Sequence, residues 1–208
     1  MTKNELNSLL TANAAYNMDL KKYMQGKLPT WKILDLGMPC GELSKHIDNT
    51  ASILMPQRIL TKAQKGHDAT ISLKQLEDLP VKLNHALAIF QSKKVDSVVV
   101  MVNEKDSKNN PVVVPINRRG VVFDGKKNKV ANLITSIHGR PQKHLDFWTE
   151  NGLNLYSKEK TFIHSEQPGA IPSVETNKGL KSATNVSQKS ETTKFFVEKM
   201  ADLTKKNT

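Results

Sequence analysis

The chain has 208 residues, a length that suits one domain with extensions better than two large cores. Only 5% of the residues are aromatic, so Leu, Ile and Val must build most of the core. The formal net charge of +11 favours a polyanionic partner, with nucleic acid as the first candidate and an anionic membrane surface as the second. The alternative is a soluble basic protein that has no polyanionic partner. The single cysteine, Cys40, excludes an intramolecular disulfide, and no apolar run reaches the roughly 18 residues of a membrane-spanning helix.

The first quarter of the sequence predicts one long helix followed by short elements. Residues 2–25 have apolar positions at helical spacing, which predicts a helix that packs on or links to the main domain from outside it. Residues 31–36 alternate loosely between apolar and polar side chains, and residues 41–48 predict a short helix.

Two proline-containing segments follow. Pro56 excludes a central strand for residues 53–60 and allows an edge strand. Ser72 and Gln75 have the spacing of a capping box, which predicts the start of a helix. Leucines at helical spacing extend this helix to Phe90, with a second proline breaking it into a short and a longer part.

The middle of the chain predicts a β-hairpin. Residues 96–103 and 111–116 are rich in valine, and the polar residues 105–110 between them predict a turn. Residues 121–124 either extend the second strand or lie in a loop.

The last patterned segments complete the predicted fold. The β-branched, alternating residues 130–138 favour a strand, with a short helix as the alternative. Residues 142–151 predict a helix with Leu145 and Trp148 on one face, and residues 153–156 predict a final short strand. Helices followed by a mostly antiparallel sheet indicate the α+β class.

The C-terminal residues 165–208 predict a polar linker and tail. Residues 165–193 have little apolar content, which predicts a disordered linker, and residues 194–205 predict a terminal helix. This tail carries seven basic and five acidic residues, so nine of the eleven net positive charges belong to residues 1–164. We therefore predict an N-terminal helix over residues 1–27 and a functional domain over residues 28–164.

Several strings, in a fixed order along the chain, together carry a resemblance to one known family. The first is the sequence LDLGMPCGEL, which opens the predicted domain. The others are residues 59–62 with the nearby His67, then 76–80, 90–92, 97–102 and 132–137, and Trp148 ahead of residues 154–156. Together these strings resemble the phage MuF C-terminal toxin domain.

The resemblance implies a fold, an activity and a partner. It implies the barnase/EndoU/colicin/RelE-like nuclease group, in which two helices back an antiparallel sheet and RNA lies on the sheet face. Such domains resemble RNA-cleaving effectors of phages and other mobile elements, which act in the cytoplasm, including that of a target cell. A toxin of this kind implies an acidic immunity or antitoxin protein that covers its basic face.

Cleaving RNA without a metal requires a base for the 2′-OH proton, an acid for the leaving oxygen and cations at phosphorus. His67 is the leading candidate for proton transfer, because its pKa is near neutrality and it lies in a polar segment. Lys62 and Lys65 lie close to it in sequence and would favour the neutral imidazole that a base needs. The alternative is a solvated surface histidine.

Polar residues near the later strands are candidates for holding the substrate. Asn132 and Ser136 share one face of the predicted strand, where they would contact phosphate or a base edge, or only solvent. Tyr156 would donate a hydrogen bond or stack on a base, or else be buried. Arg118 and Arg140 can each bind a phosphate with two hydrogen bonds, and Arg140 is better placed because it follows the Ser136 strand.

No cofactor is expected, because the sequence has no phosphate-binding loop, dinucleotide fingerprint or zincin motif. His138 and His144 flank Arg140, but no carboxylate has the spacing to complete a metal site. We predict a metal-independent endoribonuclease, with a catalytically silent nucleic-acid-binding module and a structural or interaction domain as the alternatives. The predicted catalytic residues are His67, Lys62, Ser136 and Tyr156, and the predicted RNA-binding residues are Lys65, Arg140, Asn132 and Arg118.

Overall fold

The computed structural model describes residues 1–66, 70–123 and 127–158. These residues form α-helices and a mostly antiparallel sheet of eight strands, which confirms the predicted α+β class. The predicted linker and terminal helix at the C-terminus lie outside the described residues. In chain order the elements are α1 (Lys3–Met24), β1 (Ile33–Asp35), β2 (Ile53–Pro56), α2 (Gln57–Lys65), α3 (Leu79–Asn84), β3 (Ala88–Gln91), β4 (Ser97–Lys105), β5 (Pro111–Phe123), β6 (Asn128–Ile134), β7 (His138–Gly139), α4 (Gln142–Glu150) and β8 (Asn154–Ser157).

The strands lie in the order β1-β2-β6-β5-β4-β3-β8, and β7 also pairs with β5. β2 and β6 run parallel, whereas the other described pairs are antiparallel. The predicted hairpin is β4 and β5, and β5 continues through Phe123 to pair with β6. The long β5 strand therefore connects the two halves of the sheet.

One face of the sheet carries the main core, with α1, α2 and α3 packed on it. Val98, Val100 and Val102 of β4 point into this core. The N-terminal helix also belongs to it, since Tyr16 and Leu20 are buried there. The Tyr16 hydroxyl donates a hydrogen bond of 3.0 Å to the carbonyl of Leu76. Thus α1 is part of the main core, whereas the sequence predicted a helix packed outside the domain.

The opposite face is covered by α4 over β3, β4 and β5. Val99, Val113 and Leu145 form an apolar cluster there, with Trp148 packed against it. A third cluster of Leu54, Val122 and Ala131 lies towards the β1 edge of the sheet. Alternation along the strands places both clusters opposite the main core.

The last part of the helix predicted between Ser72 and Phe90 is wrong. The helix expected to reach Phe90 ends at Asn84, and Ala88–Gln91 forms β3, which pairs with β4 and β8. Ile89 enters the main core and Phe90 enters the α4 cluster, the two-sided burial of a strand.

Pro56 also has a different effect from the one expected. β2 lies between β1 and β6 rather than at an edge, and Pro56 is its last residue, so the missing N–H falls at the strand end. The helix α2, which the sequence reasoning missed, begins at the next residue. The predicted short helix at residues 41–48 is reduced to a 3₁₀ turn over Leu43–Lys45.

Candidate functional site

The polar residues after β6 are positioned by an irregularity in the chain. β6 ends at Ile134 and the chain rejoins β5 at His138, leaving three residues outside regular pairing. Ile134 and Ile137 both enter the main core. Because these residues are three apart, the strict alternation of a strand is broken between them.

Ser136 and His138 come together on the α4 side of the sheet. His138 lies opposite Val113 of β5, and paired residues of antiparallel strands share a face. Val113 belongs to the cluster covered by α4. The Ser136 hydroxyl and the Nδ1 atom of His138 share a hydrogen bond of 3.3 Å.

Arg140 completes this group of side chains. Its guanidinium lies over the indole ring of Trp148 with the central carbon 5.5 Å from the ring centroid, a cation–π contact. Trp148 in turn packs against Phe90 with ring centroids 5.4 Å apart. The buried Nε of Arg140 has no hydrogen-bond partner among the described residues. We call Ser136, His138, Arg140 and Trp148 the His138 cluster.

The His138 imidazole is held in its neutral form near pH 7. Burial lowers its pKa below the ordinary 6.5, and the nearby Arg140 guanidinium lowers it further. A neutral imidazole has one ring nitrogen able to accept a proton. The cluster therefore combines a proton acceptor, a hydroxyl and a fixed cation, which is the combination that phosphodiester chemistry requires.

Asn132 does not join this cluster. Its side chain is fully buried and its amide donates two hydrogen bonds of 2.7 Å, to the carbonyls of Asp48 and Ala51. Its carbonyl oxygen accepts a hydrogen bond of 3.1 Å from the Asp48 N–H. The predicted RNA-binding role is thus replaced by a structural one, and Asn132 and Ser136 do not share the face predicted for them.

Tyr156 lies on the other face of the sheet from the cluster. It pairs with Ile89, whose side chain is in the main core, and its own ring packs against that core. β8 and β7 are also separated by three strands. The structure therefore does not bring Tyr156 together with Ser136.

Arg118 is engaged elsewhere on β5. It lies at the irregular step between Asn117 and Gly120, and its guanidinium is 3.7 Å from the Asp96 carboxylate. Its backbone N–H also donates to the Asp96 carbonyl. Arg118 is therefore tied to the β3–β4 connection rather than to the His138 cluster.

The lysines expected beside His67 lie on α2. This helix buries Ile59, Leu60 and Ala63 in the main core and leaves Lys62 and Lys65 exposed. No hydrogen bond or ion pair within the described residues joins either lysine to the His138 cluster. His67 itself lies outside the described residues.

The sequence reasoning missed His138 and Trp148 as site residues. The signal for His138 was present, since Ser136, His138 and Arg140 occupy alternate positions, the spacing of side chains on one face of a strand. The contact between Arg140 and Trp148 joins a strand end to a helix and follows from no local spacing. Of the seven predicted site residues that the structure describes, Ser136 and Arg140 meet in this cluster.

Within residues 1–66, 70–123 and 127–158, no three His, Cys, Asp or Glu side chains are arranged to hold a metal ion. Among the helices described, none is long and apolar enough to cross a membrane.

Comparison with known proteins gives one family. No curated protein and no solved structure matches the chain. Residues 60–162 match the model of the phage MuF C-terminal domain. This range begins within α2 and contains the whole His138 cluster. The match supports a phage MuF C-terminal domain over residues 60–162.

Proposed function

We propose that this domain is a metal-independent endoribonuclease whose reaction takes place at the His138 cluster. The observation that carries the proposal is a partly buried histidine with a lowered pKa that touches a serine hydroxyl and lies beside an arginine. The net charge of the chain favours a polyanionic substrate. Stacking on Trp148 holds Arg140 in place before a phosphate arrives.

The reaction begins with proton transfer to His138. If Nδ1 carries the imidazole hydrogen and donates a hydrogen bond to the Ser136 hydroxyl, Nε2 is unprotonated. Nε2 can then accept the proton of a ribose 2′-OH. The 2′-oxygen then bonds to phosphorus and the bond to the 5′-oxygen breaks. Arg140 stabilises the charge that develops on the phosphate oxygens. The products are a 2′,3′-cyclic phosphate and, once an acid supplies a proton, a 5′-hydroxyl, so the substrate must be RNA.

We assign that second proton to His67, which the sequence predicts for proton transfer. The backbone N–H of Thr70, three positions after it, donates a hydrogen bond to the side-chain hydroxyl of Ser107 in the β4–β5 turn, and the Thr70 carbonyl accepts one from the Ser107 backbone N–H. Asp106 of the same turn packs against Gly139, since a Cβ added to that glycine would collide with its carboxylate. The chain that follows His67 and the strand that carries His138 are thus anchored to one turn, which supports pairing the two histidines.

The test is RNA cleavage by the purified full chain in the presence of a chelator. We expect His138→Ala to reduce the cleavage rate about 100- to 10,000-fold, the usual contribution of a general acid or base. His67→Ala should cause a loss of the same order. His46→Ala is the matched control, because the partly buried His46 is hydrogen-bonded to Glu42 and has no hydrogen bond to the His138 cluster among the described residues.

Each outcome separates the alternatives. Undiminished cleavage by His138→Ala would remove the His138 cluster from the mechanism. Salt-sensitive RNA binding without cleavage by the unmodified chain would favour the catalytically silent binding module. No RNA affinity at moderate salt would favour a structural domain. An acidic inhibitor protein, as the resemblance implies, should abolish cleavage by covering the site.

A further inference from the structure

The β5–β6 hairpin projects beyond the rest of the sheet. We call its outer part, Gly120–Phe123 of β5 and residues 127–131, the β5–β6 arm. In the arm Val121 pairs with Val130 and Phe123 pairs with Asn128. The neighbouring strand β2 pairs with β6 only at Asn132 and Leu133, so it ends before the arm begins.

The outer edge of the arm presents free backbone groups. The Asn132 N–H points towards β2, where it donates a hydrogen bond of 3.1 Å to the Ser52 carbonyl. Because backbone direction alternates along a strand, Val130 and Asn128 direct their N–H and C=O groups to the same side. No described strand lies beside them there. This is the geometry of an open sheet edge, which pairs readily with another extended chain.

Three large apolar side chains are exposed on the same arm. Val121 is 59% exposed, its cross-strand partner Val130 is 57% exposed and Phe123 is 63% exposed. Val121 and Phe123 are two residues apart, so they share the face on which Val130 also lies. An exposed apolar group of this kind, beside an open edge, marks an interaction surface.

Positive charge lies on the other face of the arm, because Lys129 pairs with Val122 and not with an exposed apolar residue. Arg119, Lys127 and Lys129 are exposed, and the described arm residues include no Asp or Glu. The residues between the two described halves of the arm contain Asp124 and Lys126, whose charges cancel. The arm is therefore basic as well as apolar.

We propose that the β5–β6 arm is a docking edge that an acidic, extended segment of a partner protein joins as an added strand. Its acidic side chains would meet the cations, and alternate apolar side chains would cover Val121, Val130 and Phe123. A second copy of this chain fits less well, because edge-to-edge pairing would bring like charges together. RNA would use the cations but neither the backbone edge nor the valine pair.

This surface is separate from the His138 cluster. Val113, which pairs with His138, lies eight positions before Val121 on β5, a span of about 26 Å at the usual rise per residue. Binding at the arm therefore does not depend on the proposed ribonuclease activity, and the two can be tested independently.

The probe is a synthetic eight-residue peptide that alternates Glu and Val. Titrated into the full chain, it should slow amide hydrogen exchange at Val130 and Asn128 at least tenfold when the chain is saturated. A peptide with Lys in place of Glu should bind at least tenfold more weakly. An acidic peptide whose backbone nitrogens on one edge are methylated should also bind at least tenfold more weakly, because it cannot complete the ladder.

Variants of the arm supply the second test. The double substitutions Val121→Thr with Val130→Thr, and Lys127→Glu with Lys129→Glu, should each weaken peptide binding about tenfold or more. Lys143→Glu is the control, since it reverses an exposed charge on α4 instead. Proton–nitrogen correlation spectra should show that each variant remains folded.

Several results would overturn the proposal. These are no binding of the acidic peptide at millimolar concentration, binding without protection of the Val130 amide, and equal binding of the acidic and basic peptides. Protection of the same amides by concentration-dependent dimerisation would assign the edge to a second copy. Stronger protection by an RNA oligonucleotide than by the acidic peptide would assign it to nucleic acid.

Discussion

Two influences act in the same direction on the pKa of His138. Burial disfavours the charged imidazolium, and Arg140 adds electrostatic repulsion. A nuclear magnetic resonance titration of the imidazole should therefore give a pKa below 6.5. Arg140→Gln should raise this pKa towards 6.5 without exceeding it, because burial remains. An unchanged pKa in the variant would show that the guanidinium does not act on the ring.

The same shift links protein stability to pH. Because the pKa of His138 is lower in the folded chain than in the unfolded chain, protons bind the unfolded state more tightly. The resulting stability is present above pH 6.5 and is lost as pH falls through the folded-state pKa. Urea unfolding at several pH values should show this decline, and His138→Gln should make it shallower. His85, whose pKa burial also lowers, should account for part of the remaining slope.

Asn132 supports the loop that leads into β2. Replacing it with Ala leaves the Asp48 N–H and the carbonyls of Asp48 and Ala51 without their partner. We expect a loss of about 3 kcal/mol in the free energy of unfolding, measured in urea. Asn49→Ala changes an exposed side chain in the same loop and should cost little. Equal effects of the two substitutions would contradict the structural role of Asn132.

Around the His138 cluster, the sequence predicted the structure only where residues close together in the chain determine it. The alternation of residues 130–138 predicted a strand, and β6 and β7 fall within it. The interruption after Ile134 could not be predicted, because it depends on Ile137 entering a core built by distant segments. The partners of Asn132 lie more than eighty positions earlier, so its burial was equally hidden.

The spacing of apolar residues predicted the long helix α1, but it did not predict that this helix belongs to the main core. Tyr16 is buried and hydrogen-bonded to the backbone of Leu76, sixty positions later. Tyr16→Ala should therefore lower the free energy of unfolding by about 3–5 kcal/mol, as other large-to-small core changes do. Met18→Ala on the exposed side, where the side chain is 62% exposed, should change it by less than about 0.5 kcal/mol. Urea unfolding followed by circular dichroism measures both, and similar losses would place α1 outside the core.

The misassigned helix before β3 has a physical explanation. Leu83, Leu87 and Phe90 fit a helical spacing, and a short apolar run is ambiguous between helix and strand. Pairing with β4 and β8 decides in favour of the strand at Ala88–Gln91. The β4–β5 hairpin was predictable because both strands and their turn are adjacent in sequence.

At the scale of the whole molecule, the matched family range covers only part of the folded structure. α1, β1 and β2 precede residue 60, yet α1 contributes to the main core and β2 pairs with β6. The elements before the match therefore complete the sheet and the core that support the His138 cluster.

The net positive charge of the molecule should make its binding of RNA depend on salt. Binding should weaken as salt increases, because each neutralised phosphate releases counterions, with a logarithmic slope of about −0.7 per contact for single strands. The Arg140 guanidinium stacks on Trp148 and has no ion-pair partner among the described residues, so it is available to a phosphate. Fluorescence anisotropy with a 20-nucleotide RNA should therefore show that Arg140→Gln makes this slope shallower by about 0.7. Lys21→Gln removes an exposed charge from α1 and should leave the slope nearly unchanged. If both substitutions reduce the slope equally, the positive charge attracts RNA to the whole surface and the His138 cluster is not where a phosphate binds.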